Sequence, residues 1–141
     1  MNALASVAFA RPTYRSSTEQ LIEPFPQEMY EVFVRLEMLA SEHGEAVGGP
    51  RAATFDWAKE VLLRVLPRKF LIGADISTFE REIHATWESE EKGKRVVVFF
   101  PAPNELKIYH ELVQGNAVTE HRLVSTNSAA DISERLRWFC Q

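Results

Sequence analysis

The fold is decided by four short segments: FEREIHATWE (79–88), RVVVFF (95–100), LKIYHELV (106–113) and AVTEHRLV (117–124). Apolar and polar residues alternate along the first segment, and the second is almost entirely β-branched or aromatic. Both patterns are typical of β-strands. The intervening residues contain Gly, Pro or Asn, and Gly115–Asn116 suits a two-residue hairpin. The segments therefore predict a four-stranded antiparallel meander.

Helical periodicity flanks these strands on both sides. Apolar residues recur at helical spacing over about 27–41 and 54–66, and again after Ser128. The predicted order is α-α-β-β-β-β-α, an α+β fold with two N-terminal helices, a C-terminal helix and all helices on one face of the sheet. Residues 1–26 hold three prolines and no regular period, which predicts an irregular N-terminal arm before a single domain over 27–141.

Composition narrows the class of protein. The 141 residues are 45% apolar and 26% charged, which is ordinary for one globular domain. The net charge is −4 and no cluster of Lys and Arg is present, which argues against a nucleic-acid partner. The single cysteine permits no internal disulfide, and no apolar run approaches the roughly 18 residues of a membrane span. We therefore expect a cytoplasmic protein with no membrane partner.

Turn lengths predict how the strands face one another. In the predicted registers Trp87 lies opposite Val98, and His110 opposite His121. One face is then apolar and covered by the helices, whereas the other carries an apolar stripe with a charged rim. With no further helix to cover it, this stripe predicts an interface with another protein or with a second copy of the chain. The predicted partner-binding residues are Val97, Phe99, Tyr109, Glu111, Val113, Val118 and Glu120.

Few residues suggest chemistry. Facing imidazoles of His110 and His121 could act as acid and base or bind a metal, but the nearest acids, Glu111 and Glu120, are predicted on the opposite face. Phe99 and Tyr109 are placed like the stacking aromatics of RNA-binding sheets, although an acidic rim would repel phosphates. The chain contains no nucleophile elbow, glycine-rich phosphate loop or H-E-x-x-H motif, so no cofactor is predicted.

Residues 50–110 resemble short uncharacterised bacterial α+β proteins. The likeness consists of a helix ending in Leu66–Pro67, a strand ending in Trp87 and a Val-rich strand after it. It implies a bacterial or phage-related cytosolic protein and supplies no reaction. The leading hypothesis is therefore a non-enzymatic protein-interaction module, an accessory, immunity or antitoxin-like subunit. The alternative is a small enzyme or metal-binding protein that uses His110 and His121.

Overall fold

A computed structural model of the chain describes residues 27–43 and 47–141. The described helices are α1 (Gln27–His43), α2 (Ala52–Leu63) and α3 (Ala129–Cys140), and a short 3-10 turn covers Arg68–Leu71. The predicted arm over 1–26 lies outside the described residues. Within the described part of the chain, no helix combines the length and apolar character needed to cross a membrane.

The sheet confirms the α+β class, but in the described part of the chain it has five strands rather than the predicted four. In chain order the strands are β1 (Asp75–Phe79), β2 (Glu82–Ser89), β3 (Lys94–Ala102), β4 (Glu105–Gln114) and β5 (Ala117–Thr126). Neighbours in sequence are neighbours in the sheet, and every pair is antiparallel, so the predicted meander topology holds with one strand added.

The additional strand, β1, was missed because its hairpin turn carries no Gly or Pro. Phe79 pairs with Glu82, so the chain reverses at Glu80 and Arg81, with Glu80 at a φ of 55°. That left-handed conformation is uncommon for a residue other than Gly, Asn or Asp. The alternating pattern continues across this turn, and the sequence therefore predicts Phe79 on the same strand as Trp87.

The helices cover one face of the sheet, which we call the inner face. Side chains of all three helices join inner-face residues in a single buried cluster. Trp87 lies within it, and its indole Nε1–H donates to the carbonyl oxygen of Phe70 at 2.9 Å. The largest fully buried members of the cluster are Trp87, Phe100, Met29, Leu36, Leu62, Leu71, Ile76, Ile83, Leu106, Ile108, Ile132 and Leu136.

In the β2–β3 and β3–β4 hairpins the side chains lie on the predicted faces, but one predicted residue pair is wrong. Val98 lies opposite Ile108, and Trp87 lies opposite Val96 rather than the predicted Val98. The β2–β3 turn is longer than expected, but its parity is unchanged, so the faces remain as predicted there. Gly93 in this turn has a φ of 69°, and a Cβ on it would collide with the carbonyl oxygen of Val113.

A bulge in β5 overturns the last predicted register. Val113 lies opposite Val118, but the preceding residue of β4, Leu112, lies opposite Glu120, which leaves Thr119 as an extra residue. A one-residue shift moves every following side chain to the other face. The prediction that Glu120 lies on the outer face with Glu111 is therefore wrong, as is the prediction that His121 faces His110.

Candidate functional site

The outer face of the sheet is the surface opposite the helices. Pairing across the strands places Thr86, Val97, Tyr109 and Leu123 in one row, and His84, Phe99, Lys107 and Ser125 in the next. The buried apolar side chains of all three described helices belong to the inner-face cluster, so these helices pack against the other side of the sheet. This face is the candidate functional site.

Most of the predicted partner-binding residues share this face. Val97 is buried, with 3% of its surface exposed, yet it is not part of the core cluster. Val118 is 50% exposed. The remaining members that the structure places on this face are half-buried: Phe99, Tyr109, Glu111 and Val113. Glu120 alone falls on the inner side. The structure therefore places six of the seven residues on one face of the sheet, with Val97 buried among them.

The two most exposed apolar residues of the outer face were not among those predicted. Phe79 is 62% exposed and Leu123 is 59% exposed. Phe79 lies on this face because the chain turns at Glu80 and Arg81, and Leu123 lies on it because Thr119 is an extra residue in β5. The alternation of apolar and polar residues does not reveal the positive φ of Glu80 or the extra residue at Thr119.

Aromatic rings form a series across the first three strands of this face. The His84 ring lies between Phe79, with ring centroids 6.4 Å apart, and Phe99, with centroids 4.7 Å apart in an edge-on arrangement. The Nε2 atom of His84 is 3.0 Å from a carboxylate oxygen of Glu82. Such rings offer large contact areas with few rotamers to immobilise, which favours their use in protein interfaces.

Another row of the outer face carries polar side chains, among them two carboxylates and one guanidinium. Glu88, Arg95, Glu111 and His121 lie side by side on successive strands, and the Arg95 guanidinium is 4.0 Å from Glu111. The Tyr109 hydroxyl donates to Glu111 at 2.8 Å. That hydrogen bond, together with burial and the negative charge of Glu111, raises the pKa of Tyr109. Glu111 lies opposite His121, whereas Glu120 lies opposite Leu112.

His110 belongs to a separate polar network on the inner side. It is 6% exposed, its Nε2 lies 2.9 Å from Glu120, and its Nδ1 contacts the Arg135 guanidinium of α3. The Trp138 ring packs beside it, with centroids 4.9 Å apart. A guanidinium can only donate, so Nδ1 accepts and the ring proton lies on Nε2, which donates to Glu120. Both nitrogens of His110 are therefore occupied.

Arg135 is the charged member of this network that lies nearest the core. Burial lowers the pKa of Arg135, and the positive charge of Arg122 lowers it further. The negative charges of Glu134, Asp131 and Glu120 act in the opposite direction. The imidazole thus joins a half-buried cation on α3 to an exposed carboxylate on β5, and the arrangement is suited to holding the two elements together.

The two histidines do not form a metal or catalytic site together. His110 lies opposite Arg122, and His121 lies opposite Glu111 on the other face. Among residues 27–43 and 47–141, no group of three or more His, Cys, Asp or Glu side chains is arranged to hold a metal ion.

A second apolar surface lies on α1 and is called the α1 groove. It is a shallow depression of about 410 Å³ between α1 and α2. Its lining residues are Tyr30, Phe33, Val34, Glu37, Met38, Ser41 and Lys59. It is the main rival to the outer face as an interaction surface.

The chain matches no protein-family model, and no curated protein or solved structure is significantly similar to it. The geometry of the molecule itself therefore carries the functional assignment.

Proposed function

We propose that the protein is a non-enzymatic protein-interaction module that binds another protein through the outer face of its sheet. The observation that carries this proposal is the series of aromatic and apolar side chains from Phe79 through Phe99 and Tyr109 to Leu123, on a face to which no described helix contributes. Exposed apolar residues that are aligned across a sheet and bordered by charges are typical of a protein interface.

The rim of this face supports a protein partner over nucleic acid. Asp75, Glu82, Glu88 and Glu111 lie on the same surface as the aromatic rings, whereas its cations are Arg95 and Lys107. Phosphate groups would be repelled by this balance. A protein surface that presents Lys or Arg around an apolar centre would complement it.

The finer proposal is that the protein is an accessory, immunity or antitoxin-like subunit in the bacterial cytoplasm. Its support is the resemblance of residues 50–110 and the net charge of −4, which suits a basic partner. The alternative, an enzyme or metal-binding protein using His110 and His121, has no observation in its favour, because the two rings lie on opposite faces and both nitrogens of His110 are engaged.

Site-specific photo-crosslinking in the native host tests the binding surface. A photoreactive amino acid would replace Phe79 on the outer face in one strain and Val34 in the α1 groove in another. Both side chains are exposed, so neither replacement should disturb folding. We expect a discrete crosslinked protein from position 79, identified by mass spectrometry, and none from position 34. Crosslinking from position 34 alone would transfer the interface to the α1 groove and overturn the proposal.

Point variants then test whether the captured protein needs the outer face. Phe79→Ser should weaken binding of the purified partner about tenfold or more, as expected for an exposed aromatic anchor. Leu63→Ser is the matched control, because Leu63 is also an exposed apolar residue but lies on α2. Equal affinities of the two variants would refute the proposed surface.

A further inference from the structure

β5 is a long edge strand with no buried side chain. All ten residues from Ala117 to Thr126 are exposed or half-buried, and within the described chain β5 pairs only with β4. The opposite edge, β1, is half as long and buries Ile76 beneath the helices. Among residues 27–43 and 47–141 nothing pairs with the other side of β5, so that side presents main-chain N–H and C=O groups that another strand could pair with.

We infer that a second copy of the chain pairs with this edge, so that two antiparallel β5 strands join two five-stranded sheets into one of ten strands. The pairing is centred on Leu123, which lies opposite its own counterpart. This inference does not rest on the proposed function, since the aromatic series between β1 and β3 stays uncovered in such a dimer.

Symmetry and the bulge restrict the possible registers. Antiparallel edge strands in one sheet are related by a two-fold axis normal to the sheet. Residues that lie opposite each other share a face, and successive residues along a strand alternate between faces. The axis must therefore lie midway between the two copies of one residue, which then faces its own counterpart. The bulge at Thr119 ends regular pairing, which leaves the segment 120–126. Only an axis at Leu123, the middle of this segment, pairs all of its residues.

Side-chain chemistry favours the same register. With the axis at Leu123, two exposed leucines meet on the outer face, His121 lies opposite Ser125, and Glu120 lies opposite Thr126. No like charges face each other. An axis at Arg122 would instead oppose two guanidiniums, which is unfavourable in a sheet. An axis at His121 would extend the pairing into the bulge.

The helices leave room for this arrangement. α3 reaches as far as β4, where Arg135 and Trp138 contact His110. From β4 of one copy to β4 of the other is three strand spacings, about 14 Å. Packed helices need only about 8–10 Å between their axes, so the two α3 helices would not overlap.

Light scattering during size-exclusion chromatography of the full chain tests the dimer. We expect a concentration-dependent approach to twice the 16.1 kDa of one chain. Leu123→Lys should weaken association on the order of tenfold, because it replaces two facing leucines with two facing cations. Val118→Lys is the matched control, because Val118 is an equally exposed residue of β5 on the same face but outside the paired segment. This control should dimerise like the unaltered chain.

Disulfide trapping tests the register. In a Cys140→Ser background, which removes the single native thiol, the Leu123→Cys variant should form a disulfide-linked dimer under mild oxidation. Ser125→Cys should not, since the two copies of residue 125 lie about four residues apart along the strands, beyond disulfide reach. A monomeric unaltered chain at every concentration, or equal trapping of both variants, would overturn the inference. Neither result would bear on partner crosslinking at Phe79.

Discussion

Replacing His110 and His121 in turn should separate a structural histidine from a surface one. Sequence patterning makes the two residues equivalent partners across a hairpin, whereas the structure buries one and exposes the other. We expect His110→Leu to lower the free energy of unfolding by about 2–3 kcal/mol, and His121→Leu to change it by less than about 0.5 kcal/mol.

The larger value follows from the contacts of His110. Leucine occupies a similar volume, so the cost comes from lost hydrogen bonds rather than from a cavity. A bond from a charged donor such as the Arg135 guanidinium contributes about 1.5–3 kcal/mol, and its loss strands a half-buried cation. The bond to Glu120 adds at most about 1 kcal/mol, because that carboxylate is 54% exposed and screened by water.

Urea unfolding of the two variants and the unaltered chain measures these differences, provided the slope of the transition is unchanged. Nitrogen-15 NMR of the histidine rings supplies an independent check, with the proton of His110 expected on Nε2 and an unprotonated Nδ1. Equal stability losses for the two variants would refute the assigned faces. A protonated Nδ1 would refute the donor role of Arg135.

Three further substitutions test the core, a turn and the outer face. Trp87→Ala should lower the free energy of unfolding by about 3–5 kcal/mol through an unfilled core and a lost hydrogen bond, and Phe99→Ala should lower it much less. Comparable losses in urea unfolding would contradict the placement of these two residues on opposite faces of the sheet. Gly93→Ala should lower the free energy of unfolding by about 2–3 kcal/mol, because it introduces both left-handed strain and a collision with the backbone of Val113. Gly73→Ala introduces the left-handed strain alone and should cost about 1–2 kcal/mol. The stability that Tyr109 gains from its raised pKa is complete below pH 10.0 and is lost as the pH rises past the raised value. Tyr109→Phe should therefore lose less stability above pH 10.0 than the unaltered chain, and identical alkaline profiles would count against the hydrogen bond.

Much of the fold could be predicted because it depends on periodicity. The alternation around Trp87 and the β-branched run ending at Phe100 predict two neighbouring strands, and both residues lie in the core as expected. The last helix was predicted to follow Ser128, and the Ser128 hydroxyl accepts from the backbone N–H of Ala130 at 3.2 Å. These features depend on local sequence alone, so the fold class and the central strands could be derived without coordinates.

Two local backbone features could not be derived in the same way. The turn at Glu80 uses a left-handed conformation without glycine, and the bulge at Thr119 inserts one residue into an otherwise regular strand. Each reverses the facing of a neighbouring segment and thereby moves Phe79 or Leu123 to the outer face. Both features depend on tertiary packing, because each segment adopts the register in which the rest of the chain packs best. A short stretch of sequence does not contain that information.

The bulge also explains how one residue determines both surfaces of β5. With Thr119 as the extra residue, Glu120 turns inward to accept from His110, and through that ring the exposed strand is tied to Arg135 on α3. The same shift turns Leu123 outward, beside Tyr109 on the outer face. The inward Glu120 contacts His110, and the outward Leu123 lies at the centre of the proposed pairing with a second copy. Since both orientations depend on a single inserted residue, the contact of β5 with His110 and the position of Leu123 on the outer face are coupled by geometry.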